Sequence, residues 1–376
     1  MAGWALQPAF GLVFAWGVAV PFVRAQEHWP AVLLGAVFSA TPLGYGTGTL
    51  LGGRLADRLP PRRLCWAGLG LLALGFGIAF LLPGGFTFVV FYAAVALGLG
   101  GGVAMTGAVA AAVQVHPRHA GGVGGALTAA YAAGAIFEAP LVALLAPRLG
   151  WLGALRLVGV AVALVAALGL LLMPDVRKGK LPHDAPLPAG QLQLLRRPLI
   201  WSGSLMILLS AMLGPFLAVN LVADASLHGL ARWLGTAGLV GFSIGNTLSR
   251  LAAGLASDRL GVDRVVLVVL GLDLVAALLL WSSSTALTIL VAGVAGGTAL
   301  GSAAGVLSRM AHDSAPDAPN SALGVLFAGY AAGAVLGPLL GAVVGGSAAW
   351  LAVGAPALGG LVVLAGRRAL RPSGRP

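Results

Sequence analysis

The sequence predicts an all-α membrane protein, with twelve transmembrane helices in two pseudo-symmetric bundles of six. Three observations carry that prediction. The 376-residue chain is 59% hydrophobic and only 9% charged, with mean hydropathy +0.97, a balance foreign to soluble domains of this size. Apolar runs long enough to cross a hydrocarbon layer about 30 Å thick recur along its whole length. The second half then repeats short motifs of the first.

The first run, 4–23, ends at Arg24 and is long enough to remain as a span. It lacks a basic n-region and a cleavage site, so no removable leader is expected. The next runs are 30–56, closed by the charged stretch from Asp57 to Arg63, then 63–82 and 86–115. Runs 120–146 and 151–173 are parted around Arg148. The stretch 174–197 follows, with Arg177, Lys178, Lys180, Arg196 and Arg197, and reads as a cytoplasmic linker between halves 1–173 and 198–376. The second half gives runs at 198–222, 231–257, 264–282, 286–311, 320–345 and 348–366, then a short basic tail. The 58 glycines suit close helix–helix approach in lipid.

Charge sets the orientation. With both termini on the cytoplasmic side, the outer loops hold Arg24, Arg148, Arg156 and Arg232, and Arg250 is intramembrane. The other 17 of 22 Lys and Arg residues then face the cytoplasm, as the positive-inside rule requires of a plasma (inner) membrane protein. Basic residues scattered over loops make no nucleic-acid surface, so the net charge of +11 does not imply one. Cys65 stands alone, which excludes an internal disulfide and suits packing in the third span. No Gly-x-x-x-x-Gly-Lys-Ser/Thr run is present, so ATP hydrolysis is not built in. His28, His116, His119, His183, His228 and His312 fall in or beside loops, leaving no zinc set or catalytic triad. An enzyme is therefore not expected, nor a cofactor.

GGRLADRLPPRR (52–63) answers AGLASDRLGVDR (253–264), pairing Gly53, Asp57, Arg58 and Arg63 with Gly254, Asp258, Arg259 and Arg264. GALTAAYAAGA (125–135) answers GVLFAGYAAGA (324–334), pairing Tyr131 with Tyr330, and Pro140 and Pro338 follow. Two parallel six-helix repeats resemble the major facilitator superfamily. The loop at Gly53, Asp57, Arg58, Arg62 and Arg63 resembles its signature G-x-x-x-D-R-x-x-x-R-R. The resemblance implies a gate in which the Asp57 carboxylate faces the positive N-terminal end of a neighbouring helix. Asp258 and Arg259 would serve the second loop, with Asp57 dominant because its motif is fuller.

A narrower resemblance is to the monocarboxylate transporter and oxalate/formate antiporter branch. It rests on Gly11, Phe14, Trp16, Gly17, Pro21 and Trp29-Pro30-Ala31, on Pro117 and Gly121 in the loop 116–125, on RLGW (148–151), and on GNTLSR (245–250). Span 11 lacks the lysine of oxalate/formate antiporters, and span 1 lacks that of animal monocarboxylate transporters. Asn246 stands where the latter carry an aspartate. One fixed cation suits a monoanion better than a dianion.

That cation is Arg250, eight residues before Asp258 and so about 12 Å inside its span. A guanidinium stays protonated there and can grip a carboxylate with two parallel N–H bonds. Asn246 lies one turn away on the same face. Tyr131 and Tyr330 are further candidate substrate contacts, and Trp16, Phe216 and Phe242 candidate cavity walls. Glu138, seven residues after Tyr131, is a candidate proton carrier whose alternative is a pair with Arg156. Asp273 is a second candidate whose alternative is structural pairing. Together these imply a secondary transporter of a small organic anion, most simply a monocarboxylate, working by alternating access with proton symport or anion exchange. The rivals are a drug efflux pump of the same fold and a non-transporting membrane sensor. A monomer in the bilayer, driven by a proton gradient, is expected.

Overall fold

The computed structural model describes residues 2–56, 58–173, 191–282 and 285–369, and those residues contain helices and no strand. The twelve spans appear in the expected order. The first, α1, is a broken helix: Ala2–Leu6, Pro8–Gly11, a 3-10 turn Leu12–Ala15, and Trp16–Glu27. Pro8 brings no N–H to the helix ladder, so the run breaks in front of it. Next come α2 (Ala31–Ala56) and α3 (Pro61–Leu81), the latter opening on a proline where a missing N–H costs nothing. The fourth span, α4, combines Gly85–Thr87, a π-helical stretch Phe88–Gly100, and Gly101–Val115.

Spans α5 and α6 form one helical run, Ala120–Leu171, that bends at Gly150, where φ is 71°. Only glycine adopts that conformation without strain. In the second half lie α7 (Pro198–Ser210 and Leu213–Leu227), α8 (Arg232–Leu260) and α9 (Val262–Ser282). They are followed by α10 (Ala286–Gly305 and Leu307–Ser314), α11 (Pro319–Val344) and α12 (Ala348–Gly354 and Pro356–Ala369). The motif-matched prolines Pro140 and Pro338 both lie inside helices. A short helix, Gln191–Leu195, precedes α7.

The described residues divide into two compact units, one of 2–116 with 130–173 and one of 117–129 with 191–369. The start of α5 thus belongs with the second unit. In the first unit, Trp16 is buried among the rings of Trp29, Phe88, Tyr92 and Trp151, with centroids 5.9–6.3 Å away. Its indole N–H donates to the Leu34 carbonyl at 3.0 Å. Added methyls on Gly44 and Gly48 of α2 would overlap the α4 carbonyls of Ala94 and Leu99.

The second unit uses the same device on the opposite partner. Gly293, Gly297, Gly301 and Gly305 of α10 seat, in order, the α8 carbonyls of Gly238, Phe242, Asn246 and Arg250. Both series advance four residues at a time, so each rung lies on one helix face. The ladder fixes the backbone of Asn246 and Arg250 against α10 without a bulky side chain between the helices. Phe216 and Phe242 lie in this unit's apolar core, which also holds Trp350.

One sequence expectation needs correction here. Arg367 was assigned to the cytoplasmic tail, because the apolar run ends at 366. In the structure α12 continues to Ala369, and Arg367 is 1% exposed. It donates to the Leu199 carbonyl and to the Ser314 hydroxyl at 2.8 Å, and its Nε lies 3.8 Å from Asp263 Oδ1. One guanidinium thereby joins α12 to α7, α9 and α10, and backbone and hydroxyl acceptors offset its desolvation.

Candidate functional site

Arg250 is 6% exposed, although it sits well inside the apolar length of α8. Its Nε donates to Asn246 Oδ1 at 3.3 Å, and Nη1 donates to the Thr128 carbonyl of α5 at 3.3 Å. The guanidinium also interacts electrostatically with the Tyr330 side chain from α11. Three elements therefore meet at one cation: α8 through Asn246, the start of α5 through Thr128, and α11 through Tyr330. Gly125 and Gly305 both press on the Arg250 carbonyl, so the main chain beneath the guanidinium is clamped from two sides. Among the described residues, no aspartate or glutamate forms an ion pair with Arg250. Its partners are neutral dipoles, which orient the charge without cancelling it.

The expected cluster of Arg250, Asn246 and Tyr330 is brought together. Tyr131 belongs to the first unit, where its ring meets Tyr45 edge-on at 5.6 Å. The three candidate wall aromatics are each buried and packed against neighbouring helices. Trp16 is 1% exposed in its aromatic cluster, Phe216 stacks edge-on against Trp350 at 4.8 Å, and Phe242 is buried in the core of the second unit. Large rings at those positions fill volume between helices, which is the commoner use of an aromatic in a span.

Both candidate proton carriers are buried, Glu138 at 2% and Asp273 at 1% exposure. Among the described residues, no oxygen of either has a hydrogen-bond partner. The alternative pair of Glu138 with Arg156 does not form, because Arg156 donates to the Phe80 carbonyl. Among the described residues, Asp273 likewise has no ion-pair partner. A lone carboxyl in such surroundings is costly as an anion and cheap as an acid.

The helix-end contact expected of the first gating loop is seen at its counterpart. Asp57 lies outside the described residues; Gly53 is buried, and Arg58 and Arg63 are exposed. Asp258 accepts hydrogen bonds from the Gly121 and Gly122 amides at 3.0 and 2.7 Å, at the N-terminus of α5. Free amides and the helix dipole both favour a carboxylate there. Arg309 lies 3.4 Å from Asp258 and also bonds Asp313, whereas Arg259 is exposed. Sequence reading missed Arg309, though Arg309 and Asp313 stand at the i, i+4 spacing of a helical ion pair. Asp258→Asn removes the charge from this contact. It is expected to speed hydrogen exchange at the Gly121 and Gly122 amides severalfold, as read by mass spectrometry of the purified protein.

Nearby, Arg197 at the start of α7 pairs with Asp317 through two hydrogen bonds of 2.6 and 2.7 Å. The hydrogen bond from Arg197 holds the Asp317 carboxyl below its ordinary value. That contribution is present above the unfolded value and lost as pH falls through the folded one. Both side chains are well exposed, so the effect is small.

A family model described as the Major Facilitator Superfamily matches residues 9–231 and again 200–376. Among solved structures, the chain is similar to the crystal structure of FucP, a Major Facilitator Superfamily transporter, in the outward conformation. The TM-score is 0.70 at 14% identity, over 98% of this chain and 99% of that one. At that identity the likeness is one of fold. No curated protein matches the chain by sequence.

Proposed function

Because the chain belongs to the major facilitator superfamily and is a membrane transporter rather than an enzyme, we propose that its cargo is a small organic monocarboxylate held by Arg250. The observation that carries this reading is a buried guanidinium that pairs with no carboxylate among the described residues and is steadied by Asn246, the Thr128 carbonyl and Tyr330. An incoming carboxylate supplies the missing charge, and the planar fork gives it a fixed orientation. One cation matches one carboxylate, which favours monoanions over dianions. Drugs without charge gain nothing from it.

Under this reading the protein lies in the inner membrane with both termini cytoplasmic, in keeping with the distribution of its basic residues. Alternating access carries the bound anion across, and the Asp258 contact at the start of α5 is made and broken during the cycle. Charge is balanced by a proton moving with the anion or by exchange for another anion. Glu138 is the first candidate for that proton and Asp273 the second.

Glu138→Gln keeps the shape of a protonated acid. It is expected to abolish stimulation of net uptake by a pH gradient while preserving exchange of labelled for unlabelled substrate. Wild-type pH dependence in this variant would move the proton site to Asp273. The reading as a whole is tested by uptake of a panel of labelled monocarboxylates into proteoliposomes, with and without a pH gradient. Uptake of at least one small monocarboxylate is expected. Failure of the whole panel, beside transport of neutral amphiphiles, would favour the efflux alternative.

A further inference from the structure

The first unit buries a second side chain whose polar atoms find no partner. Gln7, in the break of α1, is fully buried, and among the described residues neither its Oε1 nor its Nε2 finds a hydrogen-bond partner. Glu138 on α5 is in the same condition. The two lie in one neighbourhood. A methyl on Gly134 would sit 3.0 Å from Glu138 Oε1 and 3.0 Å from the Cα of Pro8, so those two atoms are no more than about 6 Å apart. Gln7 is the residue before Pro8, one Cα step of ~3.8 Å away. The helices touch again one turn along, where Gly11 meets the Tyr131 carbonyl.

Burying four polar side-chain atoms unpaired is expensive, and these four are complementary. A carboxylic acid offers one O–H donor and one carbonyl acceptor; a primary amide offers one acceptor and two N–H donors. We infer that Gln7 is the partner of protonated Glu138, the two closing as an acid–amide pair. The glutamic acid O–H donates to Gln7 Oε1, and Gln7 Nε2–H donates to the glutamic acid carbonyl oxygen. All four atoms are then satisfied together. When the proton leaves, the carboxylate has no O–H to give, the ring opens to a single N–H contact, and the break of α1 is freed from α5. Gln7 is thus a positioning residue through which proton occupancy acts on α1.

Tyr92 of α4 is electrostatically coupled to Glu138, and its hydroxyl lies 3.4 Å from the Leu12 carbonyl. Tyr131 lies on α5 itself, and Arg156 of α6 is engaged with the Phe80 carbonyl. The pairing rests on the proposed role of Glu138 as proton carrier, and the test separates the two.

The full chain, reconstituted in lipid, is titrated with pH while infrared difference spectra follow the carbonyl band of buried protonated carboxyls. Subtracting the Glu138→Gln spectra isolates the Glu138 band from that of Asp273. In Gln7→Met, which keeps side-chain length without an amide, the band is expected to rise in frequency. Its midpoint should move by about two- to tenfold in proton concentration, the scale of a lost hydrogen bond. Gln7→Asn retains the amide and should restore the band position at least in part; it also serves if Gln7→Met does not fold. A Glu138 band that titrates normally and is unchanged in both Gln7 variants would overturn the pairing and leave the proton carrier standing. Spectra unaltered by Glu138→Gln would overturn both.

Discussion

Arg250→Ala is expected to weaken binding of small monocarboxylates at least ~10-fold, the scale of one lost charge-assisted hydrogen bond, with a larger loss if the carboxylate is held by both prongs. Isothermal titration or ligand-induced thermal shifts on purified protein measure it. Arg250→Lys keeps the charge and loses the fork, so it should recover part of the affinity and no more. The fold should survive Arg250→Ala, because among the described residues no carboxylate pairs with Arg250 and none is stranded by the change. What remains unpaired is Asn246 Oδ1 and the Thr128 carbonyl, both neutral. A properly folded variant with wild-type affinity for carboxylates would make Arg250 a structural ion and bring the efflux reading forward.

Arg367→Met should be the most destabilising single change outside the site. It strips the bond to the Leu199 carbonyl and the bond to Ser314, and leaves Asp263 without its cation. Removing one partner of a buried pair costs about 3–5 kcal/mol. The thermal midpoint of the purified protein should fall well below that of the wild type. Adding Asp263→Asn to Arg367→Met removes the stranded charge, so the double variant should regain part of the loss. Substrate affinity should stay near wild type in any fraction that folds, since nothing places Arg367 with Arg250. Equal stability of Arg367→Met and wild type would show that the four-helix junction contributes nothing.

These two arginines also mark what a single sequence can and cannot yield. Arg250 was legible because a charge in the middle of a long apolar run is expensive and therefore conspicuous. Asn246 followed from helical spacing alone. Arg367 was not legible: at the edge of an apolar run, a cytoplasmic tail and one more buried turn of helix have the same composition. The twelve spans were readable because lipid demands continuous apolar length. The break of α1 and the π-helical stretch of α4 leave that length unchanged and so leave no such trace. The α10 glycines stand visibly at four-residue steps, but their seating on the α8 carbonyls is a matter of which faces meet, which spacing does not encode. Gln7 drew no notice because one amide near the start of an apolar run reads as a helix end, whereas in space the Cα of the next residue, Pro8, lies within about 6 Å of Glu138 Oε1. Asp57, where the motif is fullest, lies outside the described residues. The described contact belongs to Asp258, whose loop carries the worn copy.

Recognition of a carboxylate by Arg250 is tested most directly by comparing one small monocarboxylate with its own amide in equilibrium binding to the purified wild-type protein. Acid and amide are close in size and shape and differ in charge, so the comparison isolates the anion. The acid should bind at least ~10-fold more tightly than the amide, and Arg250→Ala should erase that preference while leaving the amide's weak binding unchanged. Equal affinity for acid and amide in the wild type, or a preference that survives Arg250→Ala, would contradict the assignment of a monocarboxylate to this site.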